Sequence, residues 1–357
     1  MIKVLVVEDS PAVRELLLYI LSSDTDIHVV GTAHDGEEAI EAVMRKKPNV
    51  ITMDINMPKM NGFEATRRIM EVAPTPIVIV SGGQGTETVA TTFRAVEAGA
   101  LAVAQRPMGI GHPDHEATAK EFIQTVKLMS EVKVVRRWAR PTERRRADPQ
   151  KEEGIPSTPS GVDFKRIPAK IKLIAIGAST GGPLVLQTIL SRLPHDFSVP
   201  VLIVQHMAEG FTQGFVEWLD QTSDLSVHLA AHGDSLLSGH VYVSPDGVQM
   251  KVEIGRKISL VKDGPENGHR PSVSYLFRSV AKVFGENAVG VLLTGMGKDG
   301  AEELKVMREK GAITIVQDKE SCVVYGMPGE AIKLDAATYV LSPDTIAAAL
   351  ESLVNKK

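Results

Sequence analysis

The stretch KLIAIGASTGGPLVLQTIL, Lys172–Leu190, passes from an apolar run through closely spaced glycines into a pattern with helical spacing. The apolar run predicts a buried strand and the later pattern predicts a helix, so the glycines mark a strand-to-helix turn. Within this turn Gly177, Ser179 and Gly181 form the pattern G-x-S-x-G, which permits a tight turn that projects the serine Oγ above the sheet. The stretch therefore predicts an α/β fold and offers Ser179 as a candidate nucleophile.

Two other interpretations of this turn are open on these residues alone. A purely structural glycine-serine turn would have the same sequence. A phosphate cradle would need G-x-G-x-x-G and an acidic residue at the end of the second strand. The turn lacks that spacing, and the second strand, PVLIVQ, ends in Gln205 and His206. The remaining interpretation is that Ser179 is a nucleophile, and it requires a general base nearby.

The rest of the chain contains two sets of strand and helix patterns separated by a polar segment. Before residue 128 the strand candidates are KVLVV, HVVGTA, VITMD, PIVIVS and LAVAQ, and their alternation with amphipathic segments predicts a doubly wound, flavodoxin-like parallel sheet. In the second half they are KLIAIG, PVLIVQ, AVGVLLTG and AITIVQ, which predict a second α/β domain with a parallel sheet; HVYVSP and VQMKVE are expected to form a hairpin.

The polar segment Arg136–Gly161 is rich in charge, proline, serine and glycine, and it predicts a linker. Its arginines also allow a docking patch for phosphate or an acidic partner, but the interspersed acidic residues favour a solvated connector. We expect one domain over residues 1–122, a linker over 123–165 and a second domain over 166–357.

Length and composition limit the class of protein. The 357 residues suffice for about two domains. A net charge of -4 with 43% hydrophobic residues is typical of a soluble globular protein and gives no overall attraction to nucleic acid. Cys322 is the only cysteine, which excludes an intrachain disulfide and suits a reducing cytosol. The early acidic residues of MIKVLVVEDS argue against a signal peptide and no apolar run approaches ~18 residues, so we expect a cytoplasmic protein without membrane insertion.

Acidic residues follow two strands of the first predicted sheet. Glu8 and Asp9 come after KVLVV, and Asp54 comes after VITM. In a doubly wound sheet these strand ends share one edge, and three carboxylates there would repel one another unless a hard cation such as Mg²⁺ joined them. Asp54 is our candidate for a nucleophile toward a phosphoryl donor. Ser81 and Arg106, which follow two further strands, are candidates to contact the phosphoryl oxygens.

The opening VEDS and the stretch MDINMPKMNGFEATRRIM, Met53–Met70, resemble a response-regulator receiver domain over roughly the first 120 residues. The resemblance implies phosphorylation of Asp54 by a histidine kinase, with Mg²⁺ held by Glu8, Asp9, Asp54 and the main-chain carbonyl of Asn56. Receivers usually carry Lys-Pro after the fifth strand, whereas this chain has Arg106 before Pro107. The charge is kept, but the planar guanidinium differs in shape from an ammonium group.

A general base and a carboxylate for Ser179 are also expected at strand ends. His206 directly follows VLIVQ and is the first candidate for the base, with His269 in reserve. Asp299 lies in the glycine-rich turn of AVGVLLTGMGKDG and is the first candidate for the carboxylate, with Asp318 after AITIVQ as its competitor. Helix capping by Asp299 is an alternative role.

The motifs IGASTGGP, VQHM, RPSV, LLTGMGKDGAEEL and CVVYGMP, in this order behind a receiver, resemble the chemotaxis protein-glutamate methylesterase family, CheB. The resemblance spans nearly the whole chain. It implies a triad of Ser179, His206 and Asp299, with support from Thr180 and Met296. It also implies hydrolysis of methylated glutamates on chemoreceptor cytoplasmic domains without a cofactor for the esterase reaction, and receptor glutamine deamidation by the same groups.

Two rival classes are weighed against this interpretation. Receivers often drive DNA-binding domains, but the second half has no evident compact helix-turn-helix and no basic recognition helix. A phosphate- or nucleotide-binding module is disfavoured by the missing glycine pattern. We therefore expect no nucleic-acid partner.

Overall fold

The structure, a computed structural model, describes residues 1–82, 93–132, 134 and 170–354. In this part the chain forms two parallel sheets flanked by helices, and a separate two-stranded hairpin. Residues 135–165, which make up most of the predicted linker, lie outside the described residues.

The first sheet has five parallel strands in the order β2-β1-β3-β4-β5. The strands are β1 Ile2–Val7, β2 Ile27–Ala33, β3 Val50–Met53, β4 Ile77–Ser81 and β5 Ala102–Gln105. The helices beside them are Pro11–Ser22, Gly36–Lys46, Gly62–Val72 and His115–Ser130, and residues 93–97 are also helical. This is the flavodoxin-like strand order, so the predicted fold of the first half is confirmed.

The second sheet has seven parallel strands in the order β14-β13-β12-β6-β7-β9-β8. The strands of the second half are β6 Leu173–Ala178, β7 Val201–Gln205, β8 Ser226–Leu229, β9 His240–Val243, β10 Gln249–Glu253, β11 Lys257–Val261, β12 Ala288–Leu292, β13 Ile313–Gln317 and β14 Tyr339–Leu341. The helices are Gly182–Leu190, Thr212–Thr222, Val273–Val283, Ala301–Glu309, Met327–Lys333 and Pro343–Val354, with a short 3-10 turn at Gly285–Asn287. The predicted α/β class of this half is also confirmed.

The predicted hairpin was wrong in its partners. β9 lies inside the large sheet, parallel to both β7 and β8, whereas β10 pairs antiparallel with β11. The last three residues of β9 are fully buried, as expected for a strand covered on both faces, while β10 and β11 mix buried and partly exposed positions. β11, β8 and β14 were not predicted, because they are short and lack a long apolar run.

The order of the second sheet places three functional candidates at one edge. β12, β6 and β7 are neighbours, so their carboxyl ends lie side by side. Ser179 follows β6, His206 follows β7, and the loop with Asp299 follows β12. None of the helices in the described part of the chain combines the length and the apolar character that crossing a bilayer requires.

Candidate active site

The turn that carries Ser179 is shaped by its glycines. Gly181 has a φ of 81°, a left-handed conformation that favours glycine, and caps the helix Gly182–Leu190. A Cβ on Gly182 would lie 2.1 Å from Gln205 Oε1, and a Cβ on Gly177 would lie 2.3 Å from a methyl carbon of Val273. Both positions are therefore too crowded for a side chain. The turn leaves Ser179 mostly buried, with 8% of its surface exposed at the floor of a cleft.

His206 and Asp299 form a buried pair. His206 Nε2 lies 3.0 Å from Asp299 Oδ2, and the side chains are only 6% and 1% exposed. The structure thus brings together the histidine and the carboxylate that the sequence predicted. Asp318 does not take this place, since its carboxylate accepts a hydrogen bond from the main-chain N–H of Ser321.

Gln205 connects the main chains of Ser179 and His206. Its Nε2 donates to the carbonyl oxygens of Ser179, at 2.8 Å, and of His206, at 2.7 Å. His206 N in turn donates to Ala178 O at 2.9 Å, which continues the pairing of β6 with β7. Among the described residues, no hydrogen bond joins Ser179 Oγ to His206, and the buried Nδ1 of His206 has no partner. Because Nε2 is engaged by Asp299, Nδ1 is the nitrogen left to accept a proton.

Asp299 is surrounded by hydrogen-bond donors besides His206. Asn267 Nδ2 and Ser272 Oγ donate to Oδ1 at 2.9 and 2.8 Å, Val273 N donates to Oδ2 at 2.6 Å, and Ser274 N reaches Oδ1 at 3.3 Å. Burial alone would raise the pKa of Asp299, but His206, Asn267 and Ser272 outweigh that effect and hold the pKa well below its usual range. The carboxylate therefore stays ionised and can stabilise a protonated imidazole.

Two main-chain N–H groups beside Ser179 remain available. Ser179 N donates to Thr294 O at 3.0 Å, whereas the N–H groups of Thr180 and Met296 donate to no group among the described residues. A Cβ on Gly295 would lie 2.6 Å from Ser179 Cβ, so the loop that carries Met296 runs directly against the serine. Both N–H groups are therefore free to donate to another group, and their role in holding an oxyanion stays a prediction.

His269, the reserve base, lies against His206. The two rings stack with centroids 3.8 Å apart and planes 8° apart. Burial, and next the nearby His206, lower the pKa of His269 to about 4. The His269 ring is therefore neutral at neutral pH, and Asp299 contacts His206 instead.

This buried neutral ring predicts a pH dependence of stability. Between pH 6.5 and 4 the unfolded chain binds a proton at His269 that the folded chain does not, so the free energy of unfolding should fall as the pH is lowered through this window. Replacing His269 with phenylalanine should remove about 1 to 2 kcal/mol of the loss between pH 7 and pH 5, allowing for partial exposure of the ring. Urea denaturation of the wild-type protein and of His269→Phe, each at pH 7 and pH 5, measures these free energies of unfolding. Equal losses would contradict the prediction.

The acidic candidates of the first half also meet at one edge. Ligand atoms of Glu8, Asp9 and Asp54 all lie within 4.8 Å of one another. Burial and the charge of Asp54 raise the pKa of Glu8 to about 7, and burial raises the pKa of Asp54. Within the described part of the chain, Glu8 Oε2 is buried without a hydrogen-bond partner. Carboxylates crowded in this way, one of them with an orphaned oxygen, fit a hard divalent cation such as Mg²⁺.

The other predicted groups line the same cavity of about 380 Å³, which includes Asn56, Ser81 and Arg106. Ser81 Oγ and Arg106 Nε are buried without partners among the described residues, and Arg106 Nη2 lies 3.7 Å from Glu8 Oε2, too far for a hydrogen bond. A Cβ on Gly82 would lie 2.7 Å from Arg106 Cζ, so the glycine makes room for the guanidinium. The cavity therefore presents unpartnered donors next to the acidic cluster.

The two domains touch across the cleft that holds Ser179. Phe93 stacks on Trp218 at 5.3 Å between ring centroids, and Trp218 Nε1 donates to Glu97 Oε1 at 2.8 Å. Between the domains lies a cavity of about 830 Å³. Its lining includes Phe93, Val96 and Phe122 from the first domain and Ser179, Thr180 and His206 from the second.

Sequence reasoning missed three residues of the site. The sequence places Gln205 only at the end of a strand and Ser272 only within the RPSV motif, and it does not single out Asn267. The Asn267-Gly268 pair is a turn signal that could have located the loop. Nothing in the local sequence shows that these side chains reach Ser179, His206 and Asp299.

Both halves of the chain match known protein families. Residues 4–112 match the response regulator receiver domain family, and residues 174–350 match the CheB methylesterase family. The chain is 60% identical to a protein-glutamate methylesterase/protein-glutamine glutaminase of Nitrosospira multiformis, covering 100% of this chain and 98% of that protein. It is 59% identical to a protein of the same description, numbered 4, from Geobacter metallireducens, with 100% of both chains covered.

A solved structure supports the fold of the second half. The crystal structure of the Thermotoga maritima CheB methylesterase catalytic domain is 37% identical, with a TM-score of 0.51, and covers 52% of this chain and 100% of that one. Fold and comparisons together define a response regulator whose output domain is an enzyme of the α/β class. The chain belongs to the CheB methylesterase family, whose curated members are described as protein-glutamate methylesterase/protein-glutamine glutaminase.

Proposed function

We propose that this chain hydrolyses glutamyl methyl esters on chemoreceptor cytoplasmic domains in chemotaxis, through a triad of Ser179, His206 and Asp299. The observation that carries the proposal is the buried His206–Asp299 pair, which leaves His206 Nδ1 without a partner among the described residues, while Gln205 ties the main chain of His206 to that of Ser179. The same groups act on glutamine side chains by deamidation, with ammonia as the leaving group. The esterase reaction uses no cofactor, and the enzyme works in the cytoplasm.

The reaction proceeds through an acyl-enzyme. Ser179 Oγ attacks the ester carbonyl while His206 Nδ1 takes its proton, and the ionised Asp299 stabilises the imidazolium that forms. His206 returns the proton to the departing methoxide, methanol leaves and an ester of Ser179 remains. Water, deprotonated by His206, then attacks this ester and releases the receptor glutamate. The N–H groups of Thr180 and Met296 hold the oxyanion in both steps, each contributing about 3 kcal/mol.

The first domain is proposed to control access to this site. Asp54 accepts a phosphoryl group from a chemotaxis histidine kinase, and Ser81 and Arg106 contact the phosphoryl oxygens. Glu8, Asp9, Asp54 and the main-chain carbonyl of Asn56 would hold Mg²⁺, which when bound would neutralise charge on the phosphoryl group. Phosphorylation weakens the contact between the domains and so shifts the population toward an open cleft. The domain limits of 1–122 and 166–357, with a linker over 123–165, are part of this proposal.

The contact between the domains predicts an activating substitution. Replacing Phe93 with alanine removes its stacking on Trp218 and its tilted ring contact with Phe215, and should raise the basal rate of methanol release about fivefold or more. Deleting the residues before the linker should also raise it. Methanol release without a phosphodonor measures the effect, and Tyr19→Ala, at an exposed ring on the first domain, serves as control. An unchanged or lower rate for Phe93→Ala would contradict the inhibitory role.

The esterase proposal is tested by methanol release from membranes with methylated receptors. A gel-shift assay and a nucleotide-binding titration test the two rival classes. We expect neither to detect binding.

A further inference from the structure

The loop that precedes helix Val273–Val283 contains a tight turn beside the catalytic pair. Glu266 and His269 exchange two main-chain hydrogen bonds, of 3.0 and 2.9 Å. Asn267 and Gly268 between them have φ values of 52° and 83°. Two successive left-handed residues define a type I′ turn, for which Asn-Gly is a preferred pair.

The turn is held in place from both sides. Gln249 is fully buried, and its Nε2 donates to His269 O at 3.2 Å and to Gly264 O at 3.1 Å. Gln249 Oε1 accepts from Ser272 N at 2.8 Å, directly after the turn. On the outer side the carboxylate of Glu266 pairs with Arg278. The turn is thus fixed before any substrate arrives.

Two of the side chains carried by this turn, those of Asn267 and His269, contact the catalytic pair. Asn267 Nδ2 donates to Asp299 Oδ1 at 2.9 Å, while Asp299 Oδ2 contacts His206 Nε2. Together with Ser272 Oγ and Ser274 N, which donate to the same Oδ1, the Asn267 amide opposes rotation of the carboxylate, so Oδ2 stays aimed at the imidazole. The His269 ring covers one face of the His206 ring at a centroid distance of 3.8 Å. This contact opposes tilting of the imidazole away from Ser179.

We propose that the Glu266–His269 turn positions the catalytic pair: Asn267 fixes the carboxylate of Asp299, and His269 fixes the ring plane of His206. The proposal rests on the proposed function, and it makes Asn267 and His269 positioning residues. Neutral His269 also presents a π face to His206, which favours the imidazolium that forms when Ser179 loses its proton. A charged neighbour at the same place would oppose it.

The substitution Asn267→Gly tests the contribution of the Asn267 side-chain amide. Glycine accepts the positive φ of this position, so the turn is kept, and the substitution removes the hydrogen bonds of the Asn267 amide to Asp299 and to Ser274 Oγ. We expect kcat for methanol release to fall roughly tenfold with little change in KM. Asn267→Asp keeps the shape but sets a second carboxylate against Asp299. Its kcat should fall further, and the acidic limb of the pH profile of kcat/KM should shift to higher pH.

The substitution His269→Phe tests the stacked ring. Phenylalanine keeps a flat ring against His206, whereas His269→Ala removes it, so kcat should fall less for Phe than for Ala. His232→Phe, at an exposed ring, serves as control and should leave kcat unchanged. Circular dichroism confirms that each variant is folded.

A second readout does not depend on the substrate. In the full chain labelled with 15N-histidine, the ring nitrogen signals of His206 report its hydrogen bond to Asp299, and these signals should shift in Asn267→Gly and not in His232→Phe. If wild-type protein releases no methanol, the proposed function fails. If wild type is active and Asn267→Gly retains its kcat, its pH profile and its His206 signals, the positioning proposal is overturned while the proposed function stands.

Discussion

Ser179→Ala is expected to abolish methanol release from methylated receptors, with a rate loss of roughly 10⁴-fold or more. The substitution removes the Oγ that forms the acyl-enzyme in the proposed mechanism, while the two proposed N–H donors and the His206–Asp299 pair remain. Ser179 Oγ makes no hydrogen bond to described residues, so its loss leaves no buried group without a partner and should barely change the free energy of unfolding.

A matched control is Ser191→Ala, at the exposed C-terminal end of the helix that follows the turn. It should retain the wild-type rate. Phosphorylation of the first domain should be the same in both variants, because their substitutions lie in the second. Methanol release by Ser179→Ala at the wild-type rate would rule out the serine mechanism, even if the fold is intact.

The sequence predicted the parallel sheets because their strands are buried on both faces and are therefore nearly continuous apolar runs. β6 and β12, for example, are buried at every position. The same rule explains the failure at β9. HVYV is too short to separate a central strand from a hairpin strand by periodicity, and the turn-prone residues after it favoured the wrong partner. Which strand β9 pairs with depends on how all the strands of the sheet are arranged, and the local sequence of β9 does not contain that information.

Within the site, the residues that follow strands were predictable and those that reach in from loops were not. Ser179 and His206 come directly after apolar runs, so topology alone places them on one edge. Asn267 and Ser272 contact Asp299 from a loop between β11 and the next helix, and their side-chain directions depend on tertiary packing. The orphaned donors of Arg106 and Ser81 likewise emerge only when burial is known.

Asp54→Asn is expected to prevent phosphorylation and the activation that follows from it. In the proposed transfer a carboxylate oxygen of Asp54 attacks phosphorus, the bond to the donor breaks and an acyl phosphate forms. The asparagine amide is too weak a nucleophile for this step. Radiolabelled acetyl phosphate should leave no label on Asp54→Asn above background, and methanol release should not rise when the donor is added.

The geometry of the cluster explains why Asp54 is the expected acceptor. Glu8 is completely buried, Asp9 is exposed at the rim, and Asp54 is 7% exposed on the floor of the cavity that Ser81 and Arg106 line. Asp9→Asn keeps this acceptor and removes one proposed cation ligand, so it should slow labelling and raise the Mg²⁺ concentration needed for it. Asp114→Asn, at an exposed residue outside the cavity, should label normally. Full labelling of Asp54→Asn, or loss of label only in Asp9→Asn, would assign the phosphoryl group to another carboxylate.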